Sequence, residues 1–414
     1  MNQKEEIMED ENIDTKKEIV TIKKEGFSYP EMVIIMIIAI LFGFLIGNVV
    51  SFTKKETTNS SVPSELKEFV DTYNDIVNNY YDKVNKEELI DAGIKGMINY
   101  LDDPYATYFD GTSSTNFNQT LEGNYEGVGI EVTLDNNKVK ITKVFADTPA
   151  KKAGIKVGDY ITKVNGESVN GKSLSDVVSL IKNAKNKEVE ITITRDNQEK
   201  TMKVTRTTVD MPYTSSKVYE ENGKKIGYLK IEMFSNNITK QVKKELESLK
   251  KKNIDKLVID VRDNPGGYLT QVTEILSLFM TKKDVIYQLQ TKNNKEKVYG
   301  TSSKATYSYP VVVLINENSA SASEILASAF KETYNAEIVG VNSYGKGTVQ
   351  KTGDLNNGDT IKYTVQKWLT PKGNWINEKG VTPTKEVKLE LKENEILTED
   401  NDNQLKAAIE LASK

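Results

Sequence analysis

Polar and charged residues fill positions 1–31, and an apolar run without a single charge follows from Met32 to Phe52. At roughly 1.5 Å per helical residue, about twenty such residues cross a hydrocarbon core of about 30 Å. The leader therefore reads as a disordered tail and the run as a membrane anchor. A cleaved signal segment usually has a shorter apolar stretch, roughly 7–15 residues, and no small-x-small cleavage site stands out after Gly47. Thr53–Pro63 is a Ser/Thr/Asn linker. Leu66, Phe69, Val70, Tyr73, Ile76, Val77 and Tyr80 then recur at steps of three and four, the period of an amphipathic helix. The pattern predicts a second helix over Lys86–Tyr100, ended by Asp102-Asp103-Pro104.

The period changes twice more. From Gly123 to about Arg206 short strands dominate: Val139-Lys140-Ile141 and Val189-Glu190-Ile191-Thr192-Ile193 alternate with period two, with one helix near Ser173–Asn183. From Ile226 strands alternate with helices. Leu257-Val258-Ile259-Asp260-Val261 and Val311-Val312-Val313-Leu314-Ile315 are continuous apolar runs, as in strands covered on both faces. With Thr270–Met280 helical between them, this is an α/β layout with crossover connections. The resulting domain expectation is a cytoplasmic tail (1–31), an anchor (32–52), a linker and helices (53–112), a β-rich domain (113–208), an α/β core (209–390) and a C-terminal segment (391–414). The helices after Ser64 and the Gln404–Ala412 segment are candidate surfaces for a homodimer. Lys16, Lys17, Lys23 and Lys24 before the span, against Lys54, Lys55 and Lys67 after it, lean weakly to a cytoplasmic N-terminus. The expected location is a single-pass protein of the cell membrane with its bulk on the extracytoplasmic side.

Composition sharpens this by exclusion. The 414 residues carry a net charge of −4 with both signs interspersed, which gives no footprint for nucleic acid. Lys250-Lys251-Lys252 reads as a solvated helix face. The chain has no cysteine and no histidine. Thiol nucleophiles, disulfides, Cys-ligated zinc, the Ser-His-Asp triad and the HExxH zinc site are therefore excluded. A hydrolase built from this chain needs Lys, Asp, Glu or Tyr as its base. No metal or cofactor is expected.

Two regions carry candidate chemistry. In the β-rich region, Gly127-Val128-Gly129-Ile130 forms a glycine loop entering a strand, followed by Ala153-Gly154-Ile155-Lys156-Val157-Gly158-Asp159 and Val164-Asn165-Gly166. Such a loop can present N–H groups to a carboxylate while the adjacent strand pairs with an extended peptide. It can equally serve only as a tight turn. In the α/β region, Asn318-Ser319-Ala320-Ser321-Ala322-Ser323-Glu324 opens a helix after a buried strand, where free N–H groups suit a developing oxyanion. A Ser-rich helix cap is the competing reading. Lys346 lies between Gly345 and Gly347, and Asp260-Val261-Arg262-Asp263-Asn264-Pro265-Gly266-Gly267 ends the other buried strand in a glycine turn. All three segments fall at the carboxyl ends of strands, where α/β sheets gather their sites.

The β-rich region resembles a PDZ domain of the protease-associated type. Together with the DxRxNxGG turn, the SASASE segment and the GKGxxQ segment, it makes residues 65–412 resemble the carboxyl-terminal processing, or tail-specific, proteases. The resemblance implies an α/β crotonase-like (ClpP/crotonase) core with an inserted PDZ domain. It implies a nucleophile at Ser321, a base at Lys346, an orienting amide at Gln350, and oxyanion donors at Gly266 (or Gly267) and Ala322. It also implies that Gly127, Val128, Gly129 and Ile130 bind the C-terminal tails of exported or membrane proteins. Only the family's spacing selects Ser321 over Ser319 and Ser323. The family's WLTPxGxxI stretch recurs at Trp368–Pro371 and Gly373–Ile376, while Lys182-Asn183 stands where many relatives have Arg-Gly. Glu332, eleven positions after Ser321, matches an acidic residue of some relatives. A free lysine has a pKa near 10.4, so a lysine base must be brought down by about 3 units, for which desolvation is the means. The alternatives are a catalytically silent PDZ scaffold that binds tails, and a crotonase-like acyl-CoA enzyme.

Overall fold

The computed structural model describes residues 63–392 and 395–414. The apolar run expected to anchor the chain lies outside the described residues. Among those residues no helix is long and apolar enough to cross a membrane. The chain divides into two units, one ending at Ile90 and one covering Asp91–Lys414. In the first, Lys67–Asn79 is helical as its period predicts, yet none of its residues is buried. Leu66, Phe69 and Ile76 remain exposed.

The second unit is organised by a six-stranded sheet. Its strands, in spatial order, are Thr214–Glu221, Lys224–Ile231, Lys256–Asp260, Val311–Ile315, Glu337–Gly340 and Lys385–Glu386. The first two form an antiparallel hairpin and every later pair is parallel. Alternate residues point to opposite faces of a strand, and both faces here are apolar. Leu257, Ile259, Val313 and Ile315 pack with the helices Ile238–Lys251, Leu269–Leu276 and Ala322–Glu332. Val258, Val312 and Leu314 face the C-terminal helix Asn403–Ser413 through Leu405, Ala408, Ile409 and Ala412. That helix had been a candidate dimer surface. Its apolar stripe is instead buried within the chain, so the stripe is not free for a partner.

A second sheet stands beside the first. Thr360–Leu369 is flanked by Thr107–Phe109 and Val285–Gln290, carries Lys295–Tyr299 beyond the latter, and also pairs with Thr348–Asp354. The β-rich region has its own core, including Val139, Ile141, Ile161, Val189 and Ile191. Its sheet runs in chain order through Ile130–Asp135, Lys138–Val144, Tyr160–Val164, Glu188–Arg195 and Gln198–Thr205. Asn136 and Asn137, at φ 50° and 60°, make the first hairpin turn, a conformation Asn tolerates. The helix Leu174–Lys182 begins with a capping box between Ser173 and Asp176. Asn124–Gly127 pairs with Thr207–Asp210, closing the region where the chain enters and leaves it.

Candidate active site

The strand Lys256–Asp260 ends in the turn that carries Gly266 and Gly267, and the strand Val311–Ile315 leads to Ser321. The two segments are sewn together through Asn264. Its carbonyl accepts from the Ala320 N–H at 3.0 Å and the Ser323 hydroxyl at 2.8 Å. Its side-chain oxygen accepts from the Gly266 N–H at 2.9 Å. This revises the expected oxyanion donor. The Gly266 N–H is already engaged, whereas no hydrogen bond among the described residues takes up the N–H of Gly267 or Ala322. Glycine is required at both turn positions. A Cβ on Gly266 (φ +105°) would lie 2.9 Å from the Ser321 Cβ, and one on Gly267 (φ +143°) would strike the Phe234 carbonyl.

The three candidate serines separate by burial. Ser319 is fully buried and donates to the Val261 carbonyl at 2.8 Å. Ser323 is fully buried and engaged with Asn264. Ser321 alone of the three lines a cavity of about 510 Å³, together with Gly266, Gly267, Lys346 and Gln350. It stands at the start of the helix Ala322–Glu332 at φ 56°, ψ −113°, a conformation that L-residues rarely adopt. It occupies the N-cap position, where its N–H donates to the Glu324 carboxylate at 2.8 Å in a capping-box arrangement, while the residue still lines the cavity.

Lys346 reaches the same cavity from a segment held on several sides. Its carbonyl accepts from the Trp368 indole at 2.7 Å, and the Gly347 carbonyl accepts from the Trp375 indole at 2.9 Å. The tryptophans of the WLTPxGxxI stretch thus fasten the Gly-Lys-Gly segment. The Lys346 ammonium lies 4.7 Å from the centre of the Tyr105 ring. Burial, reinforced by the charge of Lys362, brings its pKa down to about 8. Gln350 gives its amide N–H groups to the Thr348 and Thr364 hydroxyls at 2.9 and 3.1 Å, and its oxygen is unengaged among the described residues.

Glu324 was present in the sequence only as the last letter of SASASE. It is fully buried, and its carboxylate joins the serine and lysine segments. One oxygen accepts from the N–H groups of Ser321 (2.8 Å) and Lys346 (2.9 Å). The other accepts from the Gly345 N–H (2.7 Å) and the Ser343 hydroxyl (2.6 Å). Burial pushes its pKa up, against these four donors. A second unforeseen network lies behind the glycine turn. Arg262 binds Asp260 at 2.7 Å and Asp402 at 2.8 Å, both carboxylates being buried, and also donates to Gln404. Glu332, at the end of the helix Ala322–Glu332, accepts the Lys372 N–H at 2.8 Å and is not among the cavity's lining residues.

A peptidase family S41 model matches residues 225–387, a PDZ model matches 140–195, and a model of the "activating protease CtpB N-terminal domain" matches 47–113. Among curated proteins, the chain is 40% identical over 318 residues to the carboxy-terminal processing protease CtpB of Bacillus subtilis, covering 76% of this chain and 66% of that one. It is 36% identical over 349 residues to CtpA of the same organism, covering 84% and 73%. The chain belongs to peptidase family S41. Within it, the chain's curated relatives are carboxy-terminal processing proteases, and it spans about two thirds to three quarters of their length. A solved photosystem II D1 C-terminal processing protease is 26% identical, covers 79% of this chain and 94% of its own, and superposes with a TM-score of 0.45.

In this S41 peptidase the glycine loop of the PDZ region sits at the sheet edge. Ile130–Asp135 is the edge strand, so one side of it is open to pairing within its sheet. Val128 buries its side chain in the PDZ core, leaving only its backbone for a ligand. Gly127 and Gly129 are also buried, and Ile130 is partly exposed. Tyr125 covers Gly127, and its hydroxyl faces the Gly129 N–H; burial pushes the phenol up, against that N–H. Lys182, at the family's Arg position, places its ammonium 5.5 Å from the Tyr125 ring centre.

Proposed function

We propose that this chain is a serine endopeptidase in which Ser321 is the nucleophile and Lys346 the general base, and that it trims the C-terminal tails of exported or membrane proteins. The observation that carries the reading is the meeting of Ser321, Lys346 and Gln350 in one cavity that Gly267 also lines, with the N–H groups of Gly267 and of Ala322, next to the serine, unengaged among the described residues. A neutral Lys346 takes the proton of Ser321 as its oxygen attacks the peptide carbonyl, and the two N–H groups receive the developing oxyanion. Lys346 then protonates the leaving amine, and water releases the acyl group. The Gln350 oxygen, accepting from the amine, aims its lone pair at the serine.

The open edge of Ile130–Asp135 supports a PDZ groove that captures the tail by strand addition. The parallel sheet with crossover helices is consistent with a crotonase-like core. The apolar run at 32–52 supports a single-pass anchor with the catalytic body outside the cell. A silent scaffold would have no use for a cavity-lining serine beside a desolvated lysine. The test is cleavage of a peptide with a free apolar C-terminus. Ser321→Ala and Lys346→Ala are expected to abolish turnover while retaining tail binding. Turnover by either variant near the wild-type rate would refute the assignment.

A further inference from the structure

Two charged side chains line the catalytic cavity, and both are lysines: Lys346 and Lys362. Neither belongs to an ion pair among the described residues. Lys362 lies on the strand Thr360–Leu369, opposite Thr352 on one side and Thr107 on the other. Two residues further along, Thr364 is opposite Gln350. Since alternate residues share a face, Lys362 and Gln350 occupy neighbouring diagonal positions on the face that opens into the cavity.

The Lys362 ammonium is packed against two aromatic rings. It lies 5.2 Å from the centre of the Phe109 ring and 5.3 Å from that of Phe117, and those rings stack 4.7 Å apart. Two aromatic faces stabilise a cation without cancelling its charge, as a carboxylate would. The other charged and titratable groups facing the pair are few. Asp103 acts on both lysines, and its carboxylate accepts the Tyr105 N–H at 2.9 Å. Glu324 acts on Lys346 from the helix side. Tyr105, beneath the Lys346 amine, is pushed up to about 12, chiefly by burial and then by Tyr344, so it is neutral.

We propose that Lys362 is a positioning residue for the Ser321–Lys346 reaction, acting through the positive charge it places against Phe109 and Phe117 in the cavity it shares with Lys346. A like charge in a cavity lined mostly by apolar surface disfavours a proton on Lys346 through space and so keeps that amine available as a base, without touching substrate. The sign agrees with the cavity's electrostatics. Burial lowers Lys346 most, the Lys362 charge comes next, and Asp103 and Glu324 oppose both. Burial also lowers Lys362 itself, which limits the effect at high pH. The proposal rests on the Ser–Lys reading above.

The experiment is the pH dependence of kcat/KM for a tailed peptide in the wild type, Lys362→Met and Lys362→Arg. The position of the acid limb does not depend on how much enzyme is folded, so partial misfolding of a variant leaves the test intact. Lys362→Met is expected to move the limb to higher pH by about half a unit, lowering the rate at pH 7 about threefold while the rate above the limb is kept. Lys362→Arg, which retains the charge, is expected to keep the wild-type limb. An unmoved limb in Lys362→Met overturns the proposal. So does a raised KM with an unmoved limb, which would make Lys362 a substrate contact, or an equal shift in both variants, which would make the effect steric. Ser321→Ala and Lys346→Met in the same assay separate the two claims. Residual turnover there sinks the Ser–Lys reading, whatever the Lys362 variants do.

Discussion

Ser321 is held at φ 56°, ψ −113° by its neighbours rather than by its own preference. Its N–H is tied to Glu324, and its Cβ abuts Gly266. A non-glycine residue in such a conformation costs about 1–3 kcal/mol. Ser321→Gly is therefore expected to raise the unfolding free energy by about 1 kcal/mol while abolishing turnover, which urea denaturation alongside a cleavage assay will measure. Glu324 makes the opposite case. Its carboxylate accepts four hydrogen bonds, and an amide in its place would turn one acceptor into a donor facing N–H groups. Glu324→Gln is expected to lose about 2–4 kcal/mol of stability and to lower kcat more than it changes KM. Unchanged urea midpoint and kcat would count against the joint it forms. Neither effect was legible in the sequence. The choice of Ser321 over Ser319 and Ser323 depends on which hydroxyls find buried carbonyls, and those carbonyls belong to Val261 and Asn264, nearly sixty residues away.

At the scale of elements, the apolar runs at 257–261 and 311–315 announced strands covered on both faces, and such strands form the middle of the sheet. What local pattern could not reveal is what covers the second face. The C-terminal helix packs there, and Asp402 at its start reaches Arg262 of the glycine turn, 140 residues away in sequence. The helix that looked free for a partner is thus fastened to the back of the proposed oxyanion site. Breaking a buried ion pair from one side costs about 3–5 kcal/mol, because the remaining charge stays buried. Arg262→Met leaves Asp260 and Asp402 facing each other without their cation. It is expected to destabilise the catalytic unit by that amount and to slow kcat in the fraction that folds. A wild-type urea midpoint would show that the network does not hold the turn.

Across the whole molecule, the PDZ region and the region carrying the proposed catalytic site lie on one chain but pack separate cores. The PDZ core was legible because period-two alternation and its Asn and Gly turns are local signals. The contribution of Tyr125 was not, since nothing in the sequence says that its ring folds back over Gly127. Gly129, at φ +87°, has the Thr148 side chain where a Cβ would go. Gly129→Ala is expected to disrupt the loop and raise KM at least tenfold for a tailed peptide, with little change for a short peptide that lacks the tail. Equal KM values for the tailed peptide in both enzymes would remove the PDZ loop from substrate capture.

The central claim is that a desolvated lysine activates Ser321. The most direct measurement is the rate of labelling by a serine-directed fluorophosphonate as a function of pH, with the modified residue mapped by mass spectrometry. The account predicts a single label on Ser321, a rate that climbs with pH through about 8 as Lys346 loses its proton, and negligible labelling in Lys346→Met. A label on Ser319 or Ser323, or an undiminished rate in Lys346→Met, would contradict it.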